Sequence, residues 1–457
     1  MENRTVPPAP EQQPGAARHP GAAVPAAQDE VVGICRDLLR IDTSNFGDDS
    51  GPGERAAAEY VAELLAEVGI EPTLVESRPG RTSLVARIEG TDSARPGLLV
   101  HGHLDVVPAV ADEWTVPPFA GEERDGTLWG RGAVDMKDMD AMLLAAVRAM
   151  VRAGRRPARP LTLAFLADEE AGGVWGGEWL VAHRPELFEG VTEAVSEVGG
   201  FSVELAGRRT YLLQTAEKGL AWLRLVAHGT AGHGSQICED SAVVRLAAAI
   251  TRIDAHPWPL QITPTVRAFL DGIEQVLGVP MPADDPDALV RVLGTTARFV
   301  GATVRNTANP TALAAGFPNK HNVLPGTATA LVDARFLPGT QEELLGTIRR
   351  LAGERIDVEV DHLGVSLEAP FESPLVDRMI EALHTEDPGA PVLPYCLSAG
   401  TDNKSFHALG IAGYGFVPLR LPPDLDFAGM FHGVDERVPV ESLRFGTRVM
   451  ERFLATA

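Results

Sequence analysis

Apolar residues along this chain follow two rhythms. From Asp29, Val31, Val32, Ile34, Leu38, Leu39 and Ile41 recur at helical spacing, and Glu54–Val68 repeats the pattern before stopping at Gly69. Between them, Asp42–Gly53 is polar and Gly-rich. Shorter runs then read as strands at Glu71–Glu76 and Thr82–Ile88. In Leu98–Pro108, LLVHGHLDVVP, three apolar residues lead into His101, His103 and Asp105, which alternate with Gly102 and Leu104. Alternation places such residues on one side of an extended chain. After a loop at Ala109–Asp135 rich in Trp, Pro and Gly, Met136–Ala153 reads as a helix. The apolar strand Leu161–Ala167 ends abruptly in Asp168-Glu169-Glu170, Gly176–His183 reads as helical, and the strand Thr192–Ser196 ends in Glu197. Apolar strands alternating with helices predict an α/β architecture, with a mixed, mainly parallel sheet covered by helices on both faces. Ligands in such sheets bind beyond the carboxyl ends of the strands, where these His and acidic residues fall.

The texture changes at Glu217-Lys218-Gly219. A strand at Leu220–His228, the turn GTAGHGS and a helix at Ser241–Ile253 come next, then the Pro-rich stretch Pro257–Thr296 with a helix expected at Asp287–Leu293. Strands at Ala328–Phe336 and Asp357–Leu363 flank a helix at Glu342–Ala352. A β-α-β-β-α-β order suits a ferredoxin-like α+β sheet with helices on one face. The expected organisation is a tail at 1–28, a first domain at 29–216, an inserted domain at 217–367 and the return of the first at 368–457. The returning part carries a helix at Pro374–Leu383, strands at Val392–Leu397 and Ile411–Val417, a loop with His432 and a final helix at Val440–Ala455.

Composition narrows the classes. The 457 residues are 45% hydrophobic, enough for a sizeable core, and carry a formal charge of −23. That charge repels phosphate backbones and anionic lipid, so neither nucleic acid nor membrane is an expected partner. No apolar run reaches the roughly 18 residues that span a bilayer. Three distant cysteines, Cys35, Cys238 and Cys396, form no C-x-x-C pair or disulfide framework, which fits a cytoplasmic setting. The first 28 residues are rich in Pro, Ala, Gly and Gln, lack the apolar stretch of a signal peptide and read as disordered.

Five candidate metal ligands sit at or beyond strand ends: His103, Asp135, Glu170, Glu197 and His432. Each has an ordinary reading by itself. Asp135 could cap the helix at Met136, Glu169-Glu170 could be a solvated turn, Glu197 a surface acid and His432 a loop histidine. Together, two imidazoles and three carboxylates suit two divalent ions sharing one bridging carboxylate. Such a pair can hold a water and polarise a carbonyl. In His-x-Asp, Asp105 could hold the second ring nitrogen of His103.

The motifs HGHLDVVP, WGRGAVDMKDMDA, FLADEEAGG, SEVGGF, AEKG, GHGS, NVLPGTATALVDARF, AGTD and FHGVDE, in this order, resemble the M20 family of metallopeptidases and amidohydrolases. That family includes aminoacylase-1, carboxypeptidase S-like enzymes and succinyl-diaminopimelate desuccinylase. The resemblance runs from about residue 30 to the C-terminus. It implies one zinc on His103 and Glu197, another on Glu170 and His432, and Asp135 bridging them with a cis peptide to Met136. Co²⁺ or Mn²⁺ would suit similar ligands. Asp105 would orient His103, and Glu169, itself no ligand, would be the general base. The inserted domain would be a lid and dimerisation module. From it His233, acting in the partner subunit's site, and Asn322 would donate to the oxyanion, while Arg335 would grip a substrate carboxylate. Gly400, Thr401 and Asp402 would line the pocket. The expected substrate is a small N-acyl amino acid or short peptide, hydrolysed by a homodimer. A metal-dependent binding or regulatory protein on the same fold is the alternative.

Three features depart from the family pattern. Val198 stands where relatives often have Gly, Ala399 where Gly is usual, and Pro257–Thr296 reads as an insertion in the lid.

Overall fold

The computed structural model describes residues 26–48, 50–278, 280 and 301–457. Among them, ten strands form one mixed sheet. Its centre runs Arg81–Ile88, Leu161–Leu166, Gly97–His103, Val191–Ser196 and Ala412–Gly415. The last four of these are mutually parallel, so their carboxyl ends share one edge. Gly97–His103 and Leu161–Leu166 are buried along their whole length, as central strands covered on both faces must be.

The helix Lys137–Arg152 lies under this edge, buried from Lys137 to Met150. A helix apolar around its circumference needs cover on every side, and Ala27–Arg40 and Val440–Thr456 supply part of it. Lys137, fully buried, donates Nζ to the carbonyls of Leu38 and Ile41 at 3.1 and 2.8 Å. One ammonium therefore satisfies end carbonyls of one helix while opening another.

A second, four-stranded antiparallel sheet has the order Thr307–Ala315, Thr327–Phe336, Gly219–His228, Ile356–Leu363. The helices Ala242–Asp254 and Gln341–Ala352 pack on one face around Leu223, Leu225, Leu246, Ile348 and Phe336. Taken in chain order, its strands lie 2-3-1-4, the ferredoxin-like arrangement expected from the β-α-β-β-α-β pattern.

Three readings of the sequence are corrected or set aside. The chain is already helical at Ala27, with Ala27 buried, so residues 27 and 28 belong to the first helix and not to a tail; the disorder expected of 1–25 lies outside the described residues. The stretch after Pro257 is not simply part of the lid. Its helix Pro264–Leu277 buries Val266, Phe269, Leu270 and Ile273 in the core of the larger sheet, against Val392–Leu397. The helix expected at Asp287–Leu293 falls outside the described residues. No helix among the described residues is long and apolar enough to cross a membrane.

Candidate metal centre

The five predicted ligands arrive from five separate segments and meet. Gly97–His103 delivers His103 as its last residue; the turn before Lys137–Arg152 delivers Asp135; the ends of Leu161–Leu166 and Val191–Ser196 lead into Glu170 and Glu197; a C-terminal loop delivers His432. His103 Nε2 lies 3.2 Å from Asp135 Oδ1 and 3.6 Å from Glu197 Oε2. His432 Nε2 lies 3.3 Å from Asp135 Oδ2 and 3.0 Å from Glu170 Oε2. Two ligand triplets, His103-Asp135-Glu197 and Asp135-Glu170-His432, thus share Asp135, one carboxylate oxygen facing each. The Asp135–Met136 peptide is cis.

The donor chemistry fits divalent cations. Burial alone would raise the pKa of Asp135, but hydrogen bonds from His103 and His432 outweigh it and hold the carboxyl below its usual range. His432 is pushed up to about 10 by Asp135 and Glu170. Burial lifts Glu197 to about 7 against the pull of His103, and lifts Glu170 with Asp135 adding to it. Carboxylates outnumber the cations facing them, and Glu170 Oε1 is buried without a hydrogen-bond partner. Metal ions would take the place of the protons that this crowding retains.

Glu169 belongs to neither triplet. Its Oε2 is 4.0 Å from His103 Nε2, and burial followed by repulsion from Glu197 raises its pKa well above the usual carboxylate range. Asp105 holds it in place. The Asp105 carboxylate accepts the backbone N–H groups of Glu169 and Glu170, both at 3.1 Å. The contact with His103 Nδ1 differs from the simple expectation. The nearer acceptor is the Asp105 backbone carbonyl at 2.9 Å, with the carboxylate at 3.6 Å. The His-x-Asp spacing lets the chain fold back on the ring, leaving the carboxylate for the Glu169–Glu170 turn.

His101, one pleat earlier, stays out of the centre. It bonds Asn403 Oδ1 at 3.0 Å and Ser196 Oγ at 3.2 Å, and burial pulls its pKa down to about 4. It is a neutral core histidine joining two strands and a helix.

Other predicted site residues are not gathered here. His233 is exposed and contacts Ser235 Oγ at 2.8 Å. Asn322 lies beside it, its carbonyl accepting Gly234 N–H at 2.9 Å across the short ladder pairing His233 with Val323. Arg335 points its fork at Asp333, at 2.6 and 2.9 Å. Thr401 donates both its backbone N–H and its hydroxyl to Glu217, at 3.0 and 2.7 Å, so Glu217 anchors the Gly400–Asp402 turn. Val198 adopts φ +55°, a left-handed conformation that Gly would occupy without strain, so the bend after Glu197 is retained despite the side chain.

Two residues behind the centre were not singled out from sequence. Glu436 is fully buried, and its carboxylate accepts from the backbone N–H groups of Gly132, Val134 and Asp135 and from Arg131 Nη1, at 2.7–3.1 Å. It fastens the loop bearing Asp135 to the segment bearing His432; its signal was the acid four residues after His432. Asn45 donates to Asp105 Oδ2 at 2.8 Å and Asp168 Oδ1 at 3.1 Å, and accepts from Arg81 Nη2 at 2.7 Å. Nothing in its polar loop marks it in advance.

The model of the family described as Peptidase family M20/M25/M40 matches residues 99–456. The chain is 28% identical over 445 residues to an N-fatty-acyl-amino acid synthase/hydrolase of Xenopus tropicalis, covering 91% of this chain and 83% of that protein. It is 28% identical over 425 residues to aminoacylase-1 of Sus scrofa, covering 89% and 90%. Among solved structures, an M20 family metallo-carboxypeptidase from Sulfolobus solfataricus superposes with a TM-score of 0.69 at 18% identity, covering 93% of this chain and 99% of that one.

Proposed function

The chain belongs to peptidase family M20/M25/M40 and is a hydrolase of the peptidase/amidohydrolase type, and on that footing we propose that it cleaves the amide of a small N-acyl amino acid or short peptide at two zinc ions, with Glu169 as general base. The observation that carries this reading is Asp135, shared between two ligand triplets with an unliganded Glu169 alongside. The similarity to an N-fatty-acyl-amino acid synthase/hydrolase and to an aminoacylase supports that substrate class.

His103 and Glu197 would hold one ion, Glu170 and His432 the other, and Asp135 both. Bound there, the ions supply Lewis acidity to a water and to the amide carbonyl. Glu169, free of either triplet, takes the proton of the attacking water and delivers it to the departing amine. Asp105 keeps Glu169 and Glu170 at their stations through the two backbone N–H bonds. His233 and Asn322, adjacent on one short ladder, donate to the oxyanion from a second copy of the chain in a homodimer. Arg335 receives the substrate carboxylate, exchanging part of its hold on Asp333. Gly400 and Thr401 line the pocket, and a cytoplasmic location suits the free thiols.

The test is a mass-spectrometric screen of N-acyl amino acids and dipeptides with zinc-loaded protein, repeated after chelation. Amide cleavage that disappears with chelator and returns with zinc is expected. Turnover that ignores chelation would reject the metal mechanism, and no cleavage across the panel would reject the substrate class.

A further inference from the structure

Three strands of the smaller sheet end together where it meets the larger one. Arg335 stands opposite Leu220 on one neighbouring strand and Thr307 on the other. Lys218 and Arg305 each precede those partners by two residues, so the register carries both to the same end of the sheet, beside Arg335. From the larger sheet, Lys404 reaches the same junction, where its charge feels Glu217, Arg335 and Glu169. Four cations therefore gather at this junction, and Lys404 links them to the proposed base through its interaction with Glu169, in a chain whose formal charge is −23.

Two of the four have carboxylate partners: Arg335 forks onto Asp333, and Lys404 faces Glu217. Lys218 and Arg305 differ. Lys218 is 0% exposed, and its Nζ has no hydrogen-bond partner. Arg305 Nε is likewise buried and unpartnered. The charged and ionisable groups facing Lys218 are Cys396, Arg335 and Arg305, none of them a carboxylate, and burial keeps the Cys396 thiol protonated. An ammonium withdrawn from water without a counter-ion is strongly unfavourable, and buried charges are ordinarily paired. Burial, with Arg335 and Arg305 pulling the same way, brings Lys218 down to about 8. An anion arriving there would be attracted and would also help the amine keep its proton.

We propose that Lys218 and Arg305 form an anion subsite, separate from Arg335, that takes a second carboxylate carried on the amino-acid half of the substrate. The substrate is then an N-acyl derivative of an acidic amino acid, or a dipeptide ending in one. The second carboxylate lies on that half because the scissile carbonyl belongs at the metal ligands and the first carboxylate at Arg335. This rests on the amide-hydrolysis reading and sharpens it. The crossings 217–219 and 364–366 between the sheets lie at this junction, and because Lys218 is fully buried the proposal requires the sheets to part there for a ligand to enter.

The test compares N-acetyl-glutamate with N-acetyl-glutamine, which match in size, on zinc-loaded full-length protein. The expected kcat/KM favours the glutamate derivative at least about tenfold. That ratio should collapse to near unity in Lys218→Met and in Arg305→Gln, and survive in Lys218→Arg, which keeps the charge. Calorimetry with free glutamate and glutamine supplies a readout independent of turnover, with the same preference expected in the wild type and lost in the two charge-removing variants. Equal hydrolysis of both derivatives, or an unchanged ratio in both variants, overturns the subsite. If neither derivative is cleaved but glutamate still binds selectively through Lys218, the subsite stands and the hydrolysis reading falls. Neither cleavage nor selective binding removes both.

Discussion

Glu436 Oε1 accepts the backbone N–H of Asp135 at 3.1 Å, although the two residues are 301 positions apart. The carboxylate that both ligand triplets share is thus held by a residue from the segment that carries His432. Three further donors, Gly132 N, Val134 N and Arg131 Nη1, saturate Glu436. Gln has one acceptor oxygen and would turn an amide toward the other donors. Groups that orient metal ligands usually cost about 10–100-fold in metal affinity when altered. Glu436→Gln is therefore expected to weaken zinc binding by about that factor, measured by competition against a chromophoric chelator. Wild-type affinity in this variant would show that the Asp135 loop holds itself.

Glu169→Gln should separate binding from chemistry. The side chain lies outside both triplets, and the backbone bonds from Glu169 and Glu170 to Asp105 do not depend on its charge. Loss of a general base costs about 10²–10⁴ in rate. The expected protein retains two metals per chain by elemental analysis while kcat falls by about that factor. Near-normal turnover with full metal content would move the base elsewhere.

The strand ends that build this centre were legible because apolar runs stop sharply at acidic or imidazole side chains, as at Leu166 and Ser196. The strand Arg208–Glu217 was not. It is buried from Thr210 onward yet carries Thr210, Gln214, Thr215 and Glu217. Thr215 and Glu217 find partners far along the chain, Thr265 and Thr401, so hydropathy alone cannot find the strand. The helix Pro264–Leu277 was a different failure. Thr263 caps it, Pro264 opens it and Gly278 follows it, all local signals available beforehand. What sequence could not give was the sheet it packs on. Asn45 was hidden for the same reason, since its role consists of bonds to residues far along the chain, and Glu436 showed in the sequence only as an acid four residues after His432.

Behind Asp105, Glu54 supplies a pH-dependent element. It is fully buried and ion-paired with Arg81, which in turn donates to Asn45. Burial, with Asp105 adding repulsion and Arg81 opposing, lifts its pKa from 4.5 to about 7. The folded protein then holds this proton more tightly than the unfolded chain. Its contribution to stability is complete below pH 4.5 and is lost as pH rises through about 7. Glu54→Gln should flatten the corresponding fall in unfolding free energy, followed by urea denaturation across that range. An identical pH slope in the variant and wild type would assign the effect to other buried acids.

His233 provides a test of whether the site is assembled between two chains. Its side chain is exposed and touches Ser235, so within one chain nothing commits it to the metal centre. If it donates to the oxyanion, His233→Ala should lower kcat by about 10²–10³, as loss of one such donor does elsewhere. KM should change far less, because the donor acts on charge that develops only in the transition state. Mixing His233→Ala with Glu169→Gln, after dissociation and reassociation, then discriminates the geometry. If His233 serves the partner's centre, a mixed dimer contains one centre with both Glu169 and His233 intact, and activity returns to a substantial fraction of wild type. If His233 serves its own chain, every centre in the mixture lacks one of the two groups and activity stays at the level of the single variants.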